Sequence, residues 1–247
     1  MKTDRVWLPD LIYVDGRFQS DLAVVCDESG KIVEIGKRDD AIRLKNRALL
    51  PGLVNAHSHA FQRVIRGRTE RRSYHTTDSF WTWREQMYAA ANQLGPEEIY
   101  NASRLAFLEM ALTGITAVGE FHYIHHAPDG SHYDDPNLLA REVIRAAHDV
   151  GIRIALLRVA YARSGFELEA NPQQIRFIEH SPDTYLKHLE QLLDAPELKT
   201  GMAWAGVAPH SVRAVPLDYL KTIITFANER DLPVHMHVAE QPAEVSA

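Results

Sequence analysis

The sequence predicts an α/β protein, a TIM-like (β/α)8 barrel of parallel strands preceded by a small β-sandwich part. Three observations carry this. Short β-like runs crowd residues 1–49; from Leu49 onward strand-like runs alternate with long amphipathic segments; and the first of those later runs ends in two histidines one residue apart. The expected division is a small β-sheet domain over 1–49 and a βα barrel over 50–247.

In the first part, Val6-Trp7-Leu8, Leu11-Ile12-Tyr13-Val14, Leu22-Ala23-Val24-Val25 and Lys31-Ile32-Val33-Glu34-Ile35 read as strands broken by Asp15-Gly16 and Ser29-Gly30. In the second, strands are expected near 50–56, 115–123, 152–161, 203–209 and 233–239. Helices are expected at 96–113, where Pro96 suits a first turn and Gly114 an end, at 136–150 closed by Gly151, at 182–194 and at 216–230. The charged stretch Arg63 to Arg72 reads as a solvated loop. Five βα strands are visible where a closed barrel needs eight, so the barrel is expected to be incomplete, a fragment of a longer chain or an interrupted one.

Composition bounds the function classes. With 33 acidic against 27 basic residues and a formal charge of −6, the chain lacks the basic footprint of a nucleic-acid binder. No run approaches the roughly 18 apolar residues that cross a bilayer, and the start Met-Lys-Thr-Asp-Arg lacks a secretory core. A cytoplasmic protein without nucleic-acid or membrane partners is expected. The single cysteine, Cys26, excludes an intramolecular disulfide and reads as a small buried hydrophobe. Thirteen histidines are many, but His148, His180 and His188 lie where a surface role suffices.

The chemistry concentrates at strand ends. In Pro51-Gly52-Leu53-Val54-Asn55-Ala56-His57-Ser58-His59, side chains at i and i+2 of a strand share a face, so His57 and His59 can meet one ion. Two satisfied polar histidines would be the plain alternative. A second such strand, Pro233-Val234-His235-Met236-His237-Val238-Ala239-Glu240, answers the first. At roughly 3.3 Å rise per residue, His235 lies about 6–7 Å deeper than His237; His237 is therefore read as the third ligand and His235 as packing or as a hydrogen-bond support behind the ligands. Three neutral imidazoles suit Zn²⁺, which keeps a position for water in catalytic sites. Glu240, just beyond His237, is placed to shuttle protons and protonate a leaving amine.

These residues resemble the amidohydrolase superfamily of metal-dependent barrel hydrolases. Within it, His57-Ser58-His59-Ala60-Phe61-Gln62-Arg63, Asp78-Ser79-Phe80-Trp81-Thr82-Trp83-Arg84-Glu85, Glu120-Phe121-His122-Tyr123-Ile124-His125-His126 and the 233–241 block are similar to the deiminases of bacterial histidine breakdown. The resemblance runs across essentially the whole chain. It implies zinc at His57, His59 and His237, one ion per site with Fe²⁺ or another divalent metal as alternatives, and Glu240 as catalytic proton shuttle. It also implies substrate contacts from Gln62, Arg84, Tyr123, His210 and Arg213.

The implied reaction is zinc-dependent hydrolysis of N-formimino-L-glutamate to N-formyl-L-glutamate and ammonia. Two guanidinium forks match two carboxylates, each such charged hydrogen bond contributing roughly 1.5–3 kcal/mol. A homodimer is implied by analogy alone. Read singly, Arg84 could stack on a neighbouring tryptophan, Arg213 could be a solvated cation, and His125-His126 a plain loop pair. The family's three further strands, with a histidine and a metal-binding aspartate, have no counterpart here, so this polypeptide alone is expected to lack competent hydrolysis. The alternatives are a ring deaminase of the same superfamily acting on guanine, cytosine or a triazine, and a non-catalytic fragment that only binds. A binuclear centre is disfavoured because Gly206-Val207-Ala208-Pro209-His210 carries no bridging lysine.

Overall fold

The computed structural model describes residues 5–70, 80–169 and 171–246. The motif residues Asp78 and Ser79, the last two residues of the 63–72 stretch and the chain start fall outside the described residues. The chain divides into two compact units, Met1–Gly52 and Leu53–Ala247.

In the first unit, β1 (Arg5–Val14), β2 (Arg17–Gln19), β3 (Ala23–Cys26), β4 (Ile32–Gly36) and β5 (Ile42–Leu49) form one five-stranded sheet. The runs at 6–8 and 11–14 are a single ten-residue strand. It pairs antiparallel with β2 and β3 and parallel with β5. The expected sandwich is not what forms among the described residues. Val6, Ala23 and Val25 are the buried residues of this unit's core cluster, too little apolar surface to fill the space between two packed sheets. Cys26 is half-buried rather than core.

The second unit is a parallel α/β layer. Strands β6 (Leu53–Ser58), β7 (Ile115–His122), β8 (Arg153–Ala160) and β9 (Ala203–Pro209) form a parallel sheet in that order. Helices α1 (Phe80–Ala91), α2 (Pro96–Leu112), α3 (Leu138–Val150), α4 (Pro182–Leu193), α5 (Leu217–Glu229) and α6 (Pro242–Ser246) connect or follow the strands. Pro96 opens α2, whose Glu98 accepts the Gly95 N–H at 3.0 Å. Gly151, at φ 85°, closes α3 by donating to Ala147 and His148 carbonyls, a conformation that costs glycine little. Ser181 caps α4 by accepting from the Asp183 N–H. Among the described residues no helix is long and apolar enough to cross a membrane.

Two sequence expectations are corrected. The fifth run, 233–239, lies alongside β9 with only an isolated Val207–Val234 bridge. Val207 donates to Pro233 O and His235 to Val207 O, both at 3.0 Å. The next ladder bond would come from residue 209, a proline without an N–H, and there the ladder stops. The stretch after His59 opens as a 3₁₀ turn, Ala60–Ile65, in which Arg63 pairs with Glu109 at 2.8 Å rather than facing water alone.

The approach of 233–238 to β9 depends on Gly206. A Cβ there would lie 2.7 Å from Pro233 O, 2.8 Å from Pro233 Cγ and 2.9 Å from Leu157 Cδ2. Gly206→Ala is expected to push the segment outward, cost about 1–3 kcal/mol of stability and displace His237. A lowered thermal midpoint together with weaker metal retention is the expected readout.

Candidate metal centre and ligand cleft

The sites begin where β6 ends. Between Asn55 and Ser58 the pairing with β7 shifts, two residues of β6 standing opposite Gly119. A Cβ on Gly119 would meet Ala56 O at 2.5 Å, so only glycine admits this bulge. The bulge, not a regular pleat, aims His57, and His59 lies beyond the strand as the residue entering the 3₁₀ turn. That turn is held by Glu120, whose carboxylate accepts the Ala60 N–H at 2.7 Å. Burial pushes the Glu120 carboxyl up to about 7, against the opposing effect of bonds from Ala60 and Ser58.

His57, His59 and His237 converge as expected from the sequence. His57 Nε2 stands 3.1 Å from His59 Nε2 and 3.2 Å from His237 Nε2. His59 Nδ1 is 3.0 Å from Phe121 O, and His237 Nδ1 is 3.2 Å from His210 O. A carbonyl only accepts, so each Nδ1 carries its ring's proton and each Nε2 presents a lone pair. His57 Nδ1 faces His235 Nε2 at 3.0 Å; the tautomer in which His57 Nδ1 donates to His235 turns the His57 Nε2 lone pair toward the other two. Burial, joined by the neighbouring rings, lowers His57 to about 4, and burial followed by His57 lowers His59 to about 3, which keeps both imidazoles neutral.

Three lone pairs aimed at one point repel one another unless a cation lies between them. Nitrogens bonded tetrahedrally at about 2.0–2.1 Å would stand about 3.3 Å apart, close to the observed separations. The donor set therefore fits a single zinc-like ion. His235 contacts His57 from behind, the hydrogen-bonding role expected of it. Among the described residues these three histidines are the group that could hold an ion.

Beside the histidines lies a cleft open to solvent, lined by His59, Gln62, Phe80, Trp83, Arg84, Met87, Tyr88, Tyr123, Tyr161, His210, Arg213, His237 and Glu240. All five residues expected to contact substrate are there. Gln62 donates to the Tyr123 phenol at 3.1 Å. His210 is buried, its ring 4.6 Å from Tyr161 and 4.9 Å from His237 between centroids. Arg84 reaches over Tyr88 at 5.5 Å. Arg213 lies among carboxylates: Nη2 pairs with Glu240 at 2.6 Å and Nη1 with Glu244 at 2.5 Å. Its Nε is buried without a hydrogen-bond partner among the described residues.

Several residues of the cleft escaped the sequence reading. Phe80, Trp83, Met87 and Tyr88 fall with the expected Arg84 at i, i+3, i+7, i+8 and i+4, one stripe of α1, and that spacing is the available signal. Glu244, which also accepts the Glu240 N–H at 2.9 Å, gave no signal short of the fold. His188 is not a surface residue: its ring meets Glu179 at 2.5 Å with its side chain 13% exposed. His125 and His126 are buried loop residues, bonded to Val159 O at 2.8 Å and Ile178 O at 2.9 Å.

The model of the Amidohydrolase family matches residues 48–247. The chain is 45% identical over 208 residues to formimidoylglutamate deiminase of Pseudomonas aeruginosa, covering 84% of this chain and 45% of that protein. An amidohydrolase from Brucella melitensis superposes with a TM-score of 0.87 at 36% identity, over 98% of this chain and 53% of that one. A zinc-complexed atrazine chlorohydrolase of Arthrobacter aurescens gives a TM-score of 0.74 at 24% identity over 95% of this chain and 53% of that one, a likeness of fold. The chain spans about half the length of these relatives.

Proposed function

The chain belongs to the amidohydrolase family, and on that premise we propose that its cleft serves zinc-dependent hydrolysis of N-formimino-L-glutamate to N-formyl-L-glutamate and ammonia. The observation that carries the reading is the convergence of three imidazole lone pairs beside a cleft that Arg84 and Arg213 line. His57, His59 and His237 would hold the ion. When bound, Zn²⁺ acts as a Lewis acid that makes water nucleophilic near neutral pH.

The chain's own residues do the rest. Arg84 and Arg213 orient the two substrate carboxylates, so that the formimino carbon faces the histidines. Tyr123, fixed by Gln62, closes one wall with a phenol that burial keeps protonated. Glu240 takes one proton from the attacking water and delivers it to the imino nitrogen, then relays the proton of the resulting hydroxyl to the same nitrogen; the C–N bond to that nitrogen breaks, ammonia leaves and a formyl oxygen remains. The Arg213 guanidinium holds the Glu240 carboxylate at the cleft edge, and a substrate carboxylate shares that guanidinium through exchange with Glu244 or through Nε, which has no partner among the described residues.

A ring substrate without carboxylates would make no charged hydrogen bond to the Arg84 and Arg213 guanidinium groups that line the cleft, which disfavours a nucleobase or triazine. A cytoplasmic setting fits the lone, unpaired cysteine. The test is ammonia release by the full-length zinc-loaded protein. Turnover of N-formimino-L-glutamate that stops with a chelator is the expected result; turnover of adenosine or a triazine in its place would overturn the assignment.

A further inference from the structure

Gln174 lies outside the catalytic set and is wholly buried, yet its amide nitrogen reaches two phenols of the cleft at once. Nε2 is 2.7 Å from Tyr88 OH and 2.7 Å from Tyr161 OH. Its Oε1 is buried without a partner among the described residues. The reverse placement of the amide would strand two N–H donors instead of one acceptor, so the amide group donates and both phenolic oxygens accept.

That direction has a consequence for the two phenolic hydrogens. They can form only one bond between themselves, so at least one O–H has no acceptor within the trio. Burial, with Tyr88 alongside, raises the Tyr161 phenol well above its ordinary pKa, so it keeps its hydrogen at neutral pH. Both rings line the cleft beside Arg84 and Arg213. Among the described residues no acceptor outside the trio is recorded for these phenolic hydrogens.

Gln174 is mounted on a turn tied down by hydrogen bonds. It sits in the 3₁₀ turn Pro172–Phe177, which Asn171 caps by accepting from the Gln173 N–H. Two residues on, buried Arg176 donates to the carbonyls of Ala91, Leu94 and His126, pinning the turn to the end of α1. The glutamine therefore joins three elements: its own turn, α1 through Tyr88, and the end of β8 through Tyr161.

We infer that Gln174 is a positioning residue that turns the Tyr88 and Tyr161 hydroxyls into hydrogen-bond donors for a carboxylate of the ligand. This rests on the proposed function and names how its cleft selects an anion. The amide satisfies the phenols as acceptors and so leaves at least one of their hydrogens for the ligand; a ligand presenting a donor at the same place meets no acceptor from this trio.

The experiment reads binding rather than turnover, so it separates from ammonia release. Glutarate and neutral glutaramide are titrated by calorimetry into the zinc-loaded full-length protein and into the Gln174→Glu, Gln174→Leu and Tyr88→Phe/Tyr161→Phe variants. A carboxylate at position 174 accepts both phenolic hydrogens and turns them from the cleft, and leucine removes their fixed direction. Each variant is expected to weaken glutarate by about tenfold or more and to leave glutaramide within about twofold. Added to Tyr88→Phe/Tyr161→Phe, either change at 174 is expected to cost nothing further. If Gln174→Glu fails to fold, Gln174→Leu carries the same comparison. Unchanged glutarate affinity in the double phenylalanine variant, an equal loss from position 174 in that background, or no glutarate binding to the unaltered protein would overturn the inference.

Discussion

Exchanging His237 for alanine is expected to lower zinc affinity by more than about 100-fold, since even the outer hydrogen-bond partners of metal-bound imidazoles are typically worth about 10–100-fold. His237 is the one ligand delivered from the far side of the sheet. It rides on a segment that β9 holds by bonds from the Val207, His235 and His237 amides. Its loss leaves His57 and His59, a bidentate pair too sparse for a tetrahedral ion. His235→Ala, which removes the contact behind His57 at 3.0 Å and a ring contact with Phe121, is expected to cost less, within about 10–100-fold. Equilibrium dialysis against zinc orders the two variants, and an unchanged far-ultraviolet circular dichroism spectrum shows that the fold persists.

Glu240→Gln has the second large effect. Proton transfer by a positioned side chain is worth about 10²–10⁴-fold in rate, and glutamine keeps the size and the hydrogen-bonding edge while removing the proton site. The expected outcome is a fall in kcat for ammonia release by that range, with zinc content unchanged. Glutamine still accepts from Arg213 through its oxygen, so the clamp with Glu244 survives the change. A kcat within tenfold of the unaltered enzyme would remove Glu240 from the proton path and leave it as a partner of Arg213 alone.

The parallel strands β6 to β9 and helices α2 to α5 were legible because their periodicity is set by which face is buried, a property of the sequence itself. The histidine pair at 57 and 59 was legible for its residue types and spacing. The reason offered, two side chains on one face of a pleat, was not the operative one: the Gly119 bulge and the turn held by Glu120 aim those rings. Bulges depend on the partner strand, which no local window contains. Pro209 was in plain view, but its effect on the 233–239 run appears only when β9 is known to be that run's neighbour.

The same limit explains α1 and the clamp on Arg213. The aromatic block 80–84 carries the family resemblance, while its helical stripe emerges only with α1. Glu244 meets Arg213 across a separation of 31 residues, a distance over which sequence alone assigns no contact. The buried pair of Arg158 and Glu179 likewise joins β8 to the segment before α4. Burial raises the Glu179 carboxyl, yet Arg158 and His188 hold it well below the ordinary range. His188 was thus misplaced on the surface because its partner lies in another element.

The central claim is that the imidazoles of His57, His59 and His237 share one ion through Nε2. X-ray absorption at the zinc edge, on protein loaded to its dialysis endpoint, tests it directly. One zinc per chain with an imidazole shell at about 2.0–2.1 Å, reduced by one ring in His237→Ala, is the predicted result. A second equivalent bridged to the first, or a shell whose imidazole count is the same in His237→Ala, would contradict it.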